Sequence, residues 1–255
     1  MKEKQKPISK IREEFEAASM EKLPSLYREY QEDTRAGVRS LIDRYRKKEE
    51  ALEKEKVRTE QMKVYERQYE ARGYVCGNDE VGRGPLAGPV VARAVILPKD
   101  CGILWLNDSK KLTARKREEL YDVIMEQAVA VGLGCVSPAR IDEINILQAT
   151  YEAMREAISK LPIQPDVLLN DAVTIPGVNI FQVPIIKGDG KSVSIAAASI
   201  VAKVTRDHLM EEYDREIPGY GFASNKGYGS EQHIEALKKY GPSPIHRKTF
   251  LTHFL

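Results

Sequence analysis

No stretch of this sequence approaches the ~20 consecutive apolar residues needed to cross a bilayer, so a membrane-spanning protein is not expected. Cysteine is scarce. Cys76, Cys101 and Cys135 are an odd number at long spacings without a Cys-x-x-Cys pair, which argues against both a disulfide framework and a zinc knuckle. An excess of charge of either sign is missing too. The 40 Lys+Arg residues meet 38 Asp+Glu, a formal charge of +2 in a chain that is 31% charged, and this excludes a uniformly basic coat. The opening MKEKQKPISKIREEFE lacks an apolar stretch followed by a small-residue cleavage site, so no secretion signal is expected. Together with the cysteine usage, this points to the reducing cytoplasm. Nucleotide-cofactor loops are missing as well. Gly190-Lys191-Ser192 has Ile185 where a Walker A loop needs its first glycine, and Gly84 is followed by three residues before Gly88, which breaks G-x-G-x-x-G.

What is present is a chain of 255 residues, 42% hydrophobic, with a mean hydropathy of −0.43. That length suits one large domain or two smaller ones with a real core. Two regimes share it. Residues 1–72 hold 19 Lys+Arg and 16 Asp+Glu. Their apolar residues fall at helical spacing: Ile8, Ile11, Phe15 and Ala18; Leu23, Leu26, Tyr27 and Tyr30; Val38, Leu41, Ile42 and Tyr45. Three helices are expected, the third opened by Asp33-Thr34 and running to about Tyr69. Such a segment is either a solvated helical appendage or a nucleic-acid-binding arm, because Arg44, Arg46, Lys47, Lys48, Lys54, Lys56 and Arg58 are concentrated there.

From Gly73 the pattern changes. Tyr74 to Cys76, Pro89 to Leu97, Val129 to Val136, Val167 to Leu169 and Val183 to Ile186 read as short buried strands. TARKREELYDVIMEQA reads as an amphipathic helix, Ser137-Pro138 as the start of a long helix to about Leu161, and Ser192 to Tyr213 as another. Strands in succession and then alternating with helices predict an α/β domain over residues 73–255 with a mixed central sheet flanked by helices, ending in a C-terminal helical segment from about residue 214.

The acids carry the chemistry. Asp79 and Glu80 follow the first strand, Asp171 follows VLLN, and Asp189 follows PIIKG. Any one could pair with a local Lys or Arg, but four carboxylates at strand ends call for a cation, since burying one unpaired costs several kcal/mol. Without a Cys/His cluster, all-oxygen ligation points to Mg²⁺ or Mn²⁺. Such a set could build the two-metal site of a phosphoryl-transfer enzyme. Gly82-Arg83-Gly84, just downstream, lets backbone approach a ligand with a cation beside it.

The runs NDEVGRGPLAGPVVA, NDSKKLTARKRE, IDEINILQAT, IIKGDGKSVSIAAASIVAKVTRD, NKGYGSEQHIEAL and GPSPIHRKTF closely resemble type 2 ribonuclease H, the ribonuclease HII family, across residues 74 to 250. The charged N-terminal helices look like the extension of some bacterial members. The resemblance implies a ribonuclease H-like fold. It also implies metal-dependent endonucleolysis of RNA-DNA hybrids and of DNA duplexes containing single ribonucleotides, leaving a 3′-hydroxyl and a 5′-phosphate, by a monomer. Carried over by motif, Asp79, Glu80, Asp171 and Asp189 are the catalytic and metal-ligating acids. Gly82, Arg83 and Gly84 read the 2′-hydroxyl, and Tyr228 stacks on the following deoxyribose. Asn107, Ser109, Lys110 and Lys191 touch phosphates, with Lys226 adding backbone affinity. His246 is expected to anchor the C-terminal segment, and His208, His233 and His253 likewise have structural roles. The rival class, a catalytically silent nucleic-acid-binding protein of the same fold, is disfavoured by the retention of all four acids.

Asn78 and Asn170 stand where the family has apolar residues before the first and third acids. On neighbouring strands both should point away from the carboxylates. Their amides are expected to hydrogen-bond each other or one buried water, because an unsatisfied buried amide costs ~1–3 kcal/mol.

Overall fold

The computed structural model describes residues 6–254. The first five residues of the stretch read for a secretion signal, and Leu255 at the end of the C-terminal segment, lie outside it. Packing divides the chain into two compact units, residues 1–58 and 59–255, whereas the composition changes at residue 72.

In the first unit, α1 (Ile8–Ala17), α2 (Leu23–Tyr30) and most of α3 (Ala36–Met62) each contribute one apolar stripe. Ile11, Phe15, Leu23, Tyr30, Val38, Leu41, Ile42 and Tyr45 are buried together, with Ile8, Ala18, Leu26 and Tyr27 packed against them. All twelve residues picked out by helical spacing therefore meet in one small core. The Asp33 carboxylate accepts the Arg35 backbone N–H at 3.0 Å ahead of α3, a turn just outside the helix, whose first bond runs from the Arg39 N–H to the Arg35 carbonyl. The third helix does not reach Tyr69 unbroken. It stops at Met62, and α4 (Val64–Tyr69) follows as a separate turn of helix within the second unit.

The second unit is built on a five-stranded mixed sheet in the order β3-β2-β1-β4-β5, from β1 (Val75–Val81), β2 (Val90–Ile96), β3 (Ala130–Val136), β4 (Val167–Asp171) and β5 (Phe181–Ile185). β1 pairs antiparallel with β2 and parallel with β4. Its ladder with β2 continues to Val81, so Asp79 and Glu80 lie within the strand, where the sequence had them follow it. Polar residues broke the apolar run there, but backbone pairing continued.

Helices cover both faces. α5 (Ala114–Gln127) is capped by the Thr113 side chain, and α6 (Pro138–Ser159) by Ser137 with Pro138 in its first turn, as the sequence indicated. α6 kinks at Asn145, whose φ is 65°. It packs so tightly on β3 that a Cβ at Gly134 would lie 1.8 Å from the Ala153 carbonyl oxygen. On the other face α7 (Val193–Glu216) crosses β1, and a Cβ at Gly77 would lie 2.1 Å from Ser194 backbone. The small side chains of SIAAAS allow that approach. Two short helices, α8 (Phe222–Asn225) and α9 (Glu231–Tyr240), complete the C-terminal segment. No described helix is long and apolar enough to cross a membrane.

Candidate active site

Alternation along the strands sorts the site. Gly77 faces α7, so Asp79, two residues on, does too; Leu169 packs with Ile195 of α7, so Asp171 shares that face. Asp79 and Asp171 thus emerge side by side from parallel neighbours, Asn78 pairing with Asn170 one residue before. Asp189 arrives on a short 3₁₀ turn, Gly188–Gly190, after β5; the Gly188 N–H donates to Asp171 Oδ1 at 2.8 Å and holds that turn against the strand end.

Burial, reinforced by Glu80 and Asp171, pushes the Asp79 carboxyl well above the usual carboxylate range. Glu80 is raised by burial and by Asp171, against the opposing pull of Arg83, whose guanidinium lies 3.2 Å away. Asp189 is raised by burial, by Asp108 and by Asp171. Asp171 is therefore the hub whose charge reaches the other three. Asp79 makes no ion pair among the described residues. The nearby Ser199 hydroxyl of α7 opposes the rise at Asp79, and lies 3.0 Å from the hydroxyl of Ser109.

Two of these neighbours were not anticipated. Asp108 stands close enough to Asp189 for its charge to raise that carboxyl. Its place in NDSKK, between two residues already singled out, was the available signal. Ser199 lay in a stretch that read as small-residue packing alone.

The other anticipated residues are spread around this group. The Asn107 Oδ1 accepts the Asp108 N–H at 2.9 Å; Lys110 is exposed, and its charge reaches Asp189; Lys191 is exposed at the end of the Asp189 turn. Ser109 is buried against Ser199. Lys226 sits at φ 52° with Nζ 2.6 Å from the Glu211 carboxylate. Gly82 has φ 90°, and a Cβ there would strike the Arg206 side chain at 2.3 Å. Gly84 is different: a Cβ would meet nothing closer than the Tyr228 ring at 3.8 Å. Protein packing explains Gly82, but the absent side chain at Gly84 keeps a gap open opposite a tyrosine that is 46% exposed.

Asn78 and Asn170 are both fully buried on the sheet face away from the carboxylates, Asn78 on the side of Cys76 in the core beneath α6. The expected bond between them does not form. Asn170 Nδ2 instead donates to Gln182 Oε1 at 2.9 Å, because β5 supplies a closer acceptor on the other side of β4. Gln182 also takes the Ile175 N–H and donates to the Ile175 carbonyl, while both polar atoms of the Asn78 amide and Asn170 Oδ1 have no protein partner.

The donor set suits a hard divalent cation. It is all carboxylate oxygen, Asp79 is buried without a counter-charge, and burial, with repulsion among the acids added to it, raises three of the four. Among the described residues, however, no three His, Cys, Asp or Glu side chains are drawn into a ready metal-binding cage.

Comparison with known proteins gives a consistent answer. A family model for Ribonuclease HII matches residues 76–253, and one for the Ribonuclease HII N-terminal domain matches residues 7–70. The ribonuclease HII of Lachnoclostridium phytofermentans is 62% identical over 244 residues, 96% of each chain. That of Clostridioides difficile is 51% identical over 98% of this chain and 99% of its own. Among solved structures, ribonuclease H2 from Pyrococcus horikoshii OT3 aligns with a TM-score of 0.57 at 30% identity, over 69% of this chain and 93% of its own. With the mixed sheet, the acids at its strand ends and these matches in both segments, the chain belongs to the ribonuclease HII family.

Proposed function

We propose that the protein is a cytoplasmic, monomeric endoribonuclease that cleaves RNA in RNA-DNA hybrids and at single ribonucleotides within duplex DNA, leaving a 3′-hydroxyl and a 5′-phosphate. What supports this reading is the run of acids at neighbouring strand ends, with Asp79 buried and outside any ion pair among the described residues, together with Gly84, where a Cβ would meet nothing closer than the exposed Tyr228 ring at 3.8 Å. The first supports phosphodiester hydrolysis, and the second suits a sugar with an extra hydroxyl.

Asp79, Glu80, Asp171 and Asp189 would hold two Mg²⁺ or Mn²⁺ ions, which would supply an activated water and neutralise the charge that builds on the phosphate. The Asp171 charge reaches each of the other acids, so its carboxylate would help hold the same cations. Ser199 fixes the Asp79 carboxylate from behind. Backbone at Gly82 to Gly84 receives the 2′-hydroxyl, and Tyr228 stacks on the next deoxyribose, so a ribose followed by DNA fills the gap. Asn107, Ser109, Lys110, Lys191 and Lys226 border the phosphate path, with Ser109 acting through Ser199.

The test is a labelled DNA duplex with one internal ribonucleotide, incubated with Mg²⁺, with Mn²⁺ and with EDTA. Metal-dependent nicking on the 5′ side of the ribonucleotide is expected. Tight binding without nicking in either metal would make the protein a binding module of the same fold.

A further inference from the structure

The loop after β1 is gripped from behind by two arginines that the proposed chemistry does not use. Arg206 of α7 and Arg247 near the C-terminus are both 0% exposed, and neither makes an ion pair among the described residues. Every bond they make in this region goes to a backbone carbonyl. Arg206 donates to Pro89 at 3.0 Å, Ala87 at 3.1 Å and Lys226 at 2.8 Å. Arg247 donates to Gly82 at 2.5 Å, Arg83 at 2.9 Å and Gly88 at 2.8 Å. The backbone completes the lacing: the N–H groups of Leu86 and Ala87 donate to the Gly227 carbonyl, and the Arg247 N–H donates to the Leu86 carbonyl.

Two consequences follow. The carbonyls of residues 82, 83 and 86–89 are all turned inward onto donors, while the N–H groups of Arg83 and Gly84 meet no protein acceptor among the described residues. The loop therefore shows an outside ligand the Arg83 and Gly84 N–H groups, while the carbonyls of residues 82, 83 and 86–89 are already engaged. Arg206 also bonds both the glycine loop and the carbonyl two residues before Tyr228, so one guanidinium sets the separation of the two walls of the gap. Burial disfavours the charge on both arginines, and Arg206 adds repulsion at Arg247. A neutral side chain would close the same space at lower cost, so two buried guanidinium groups beneath one loop call for their own explanation.

We propose that Arg206 and Arg247 are positioning residues for ribonucleotide recognition, locking the glycine loop and the tyrosine loop into one rigid reader of fixed width. This rests on the reading of the Gly84–Tyr228 gap as the ribose site. Arg is required because its planar fork serves several carbonyls at once, whereas a lysine ammonium of equal charge cannot reproduce that geometry.

The experiment measures kcat and KM on a duplex with one ribonucleotide, and Ki for the all-deoxy duplex of the same sequence as competitor, in the full-length protein. Arg247→Lys and Arg206→Lys are each expected to lower the ratio of that Ki to KM at least tenfold while kcat falls less than threefold. A fall in active fraction alone would leave the ratio unmoved. Gly84→Ala tests the underlying reading, because its methyl enters the gap directly. An unchanged ratio in G84A overturns the ribose-site reading itself. A collapsed ratio in G84A with unchanged ratios in both lysine variants leaves that reading standing and overturns the positioning role. Hydrogen exchange on the wild-type protein supplies a readout that needs no stable variant. The amides of residues 86–88 and of Gly227 should open together, and independent opening of the two segments overturns the proposal.

Discussion

Asp79 holds a charge in the wrong solvent. It is 7% exposed, stands beside Glu80 and Asp171, and is steadied by one hydroxyl from Ser199. Removing that charge should help the fold while destroying the chemistry. Asp79→Asn is expected to abolish nicking yet raise Tm in EDTA by about 2–4 °C, the shift that roughly 1 kcal/mol produces in a chain of this size. Added Mg²⁺ should raise the wild-type Tm and leave the variant unmoved; differential scanning calorimetry reads both. Behind the sheet, Asn78 and Asn170 look alike in sequence and differ in structure. Asn78 has no protein partner for either amide atom, whereas Asn170 is tied to Gln182, which also fastens the segment from Ile175 to Val178. Asn78→Val should therefore stabilise by about 1 kcal/mol, and Gln182→Ala should destabilise by about 2–4 kcal/mol by orphaning several buried groups. Urea unfolding midpoints with unchanged m-values would show both effects, and a destabilised Asn78→Val or an unaffected Gln182→Ala would contradict the partner assignment.

At the scale of elements, α9 and the stretch that follows it are joined by a buried histidine pair, His233 and His246. The Ser243 N–H donates to His246 Nδ1 at 2.9 Å, so His246 Nε2 carries its hydrogen and donates to His233 Nε2 at 3.0 Å; His233 Nδ1 then donates to the Tyr228 carbonyl at 2.8 Å. Both rings are neutral in this chain. Burial and the neighbouring His233 bring His246 down to about 4, and burial lowers His233. A histidine whose folded pKa is depressed binds fewer protons folded than unfolded. Its stabilising contribution is thus complete above the ordinary value near 6.5 and lost as pH falls toward 4. The stability difference between wild type and His246→Gln is expected to shrink over that window when followed by chemical unfolding at a series of pH values, because the variant lacks the titration. A constant difference would mean that His246 is already protonated in the folded protein. The sequence reading of His246 as an anchor agrees with this geometry, although its partner His233 and the carbonyl they hold came only from the fold. Helix starts at Ser137, Thr113 and Ser192 were legible because a cap is a local device, satisfied within three residues. The extension of β1 through Asp79 and Glu80 was not legible, because strand pairing depends on β2 and not on the polarity of β1 itself.

For the whole molecule, the division at Arg58 and Thr59 sets where the chain can be cut. The first unit has its own apolar cluster, but α4 belongs to the second: Glu66 accepts from the Ser192 hydroxyl at 2.5 Å and the Ser194 N–H at 3.0 Å at the start of α7, while Tyr65 and Tyr69 pack against Val75, Val167 and Ile195. Deleting residues 1–58 should leave Tm within a few degrees of wild type, raise KM several-fold, change kcat less than twofold and flatten the salt dependence of KM, since the basic residues of α3 go with it. Deleting residues 1–72 should lower Tm by more than 5 °C, because α7 loses its carboxylate cap and the sheet loses apolar cover. Equal melting of the two truncations would show α4 to be dispensable. The near-neutral total of +2 is compatible with all of this, because charge is sorted by place: acids at the strand ends, guanidinium groups beneath the glycine loop. By itself the sequence determined the α/β class, the twelve apolar positions of the N-terminal core, the helix caps and the four acids, since periodicity and capping are local and polar breaks in apolar runs are visible without a fold. Only the tertiary structure decided that Asp171 reaches the other acids, that Asp108 meets Asp189, that Asn170 turns to Gln182, and that Arg247 grips a carbonyl 159 residues away. Buried polar groups take whatever partner the sheet order brings within reach, and that order is a property of the folded chain alone.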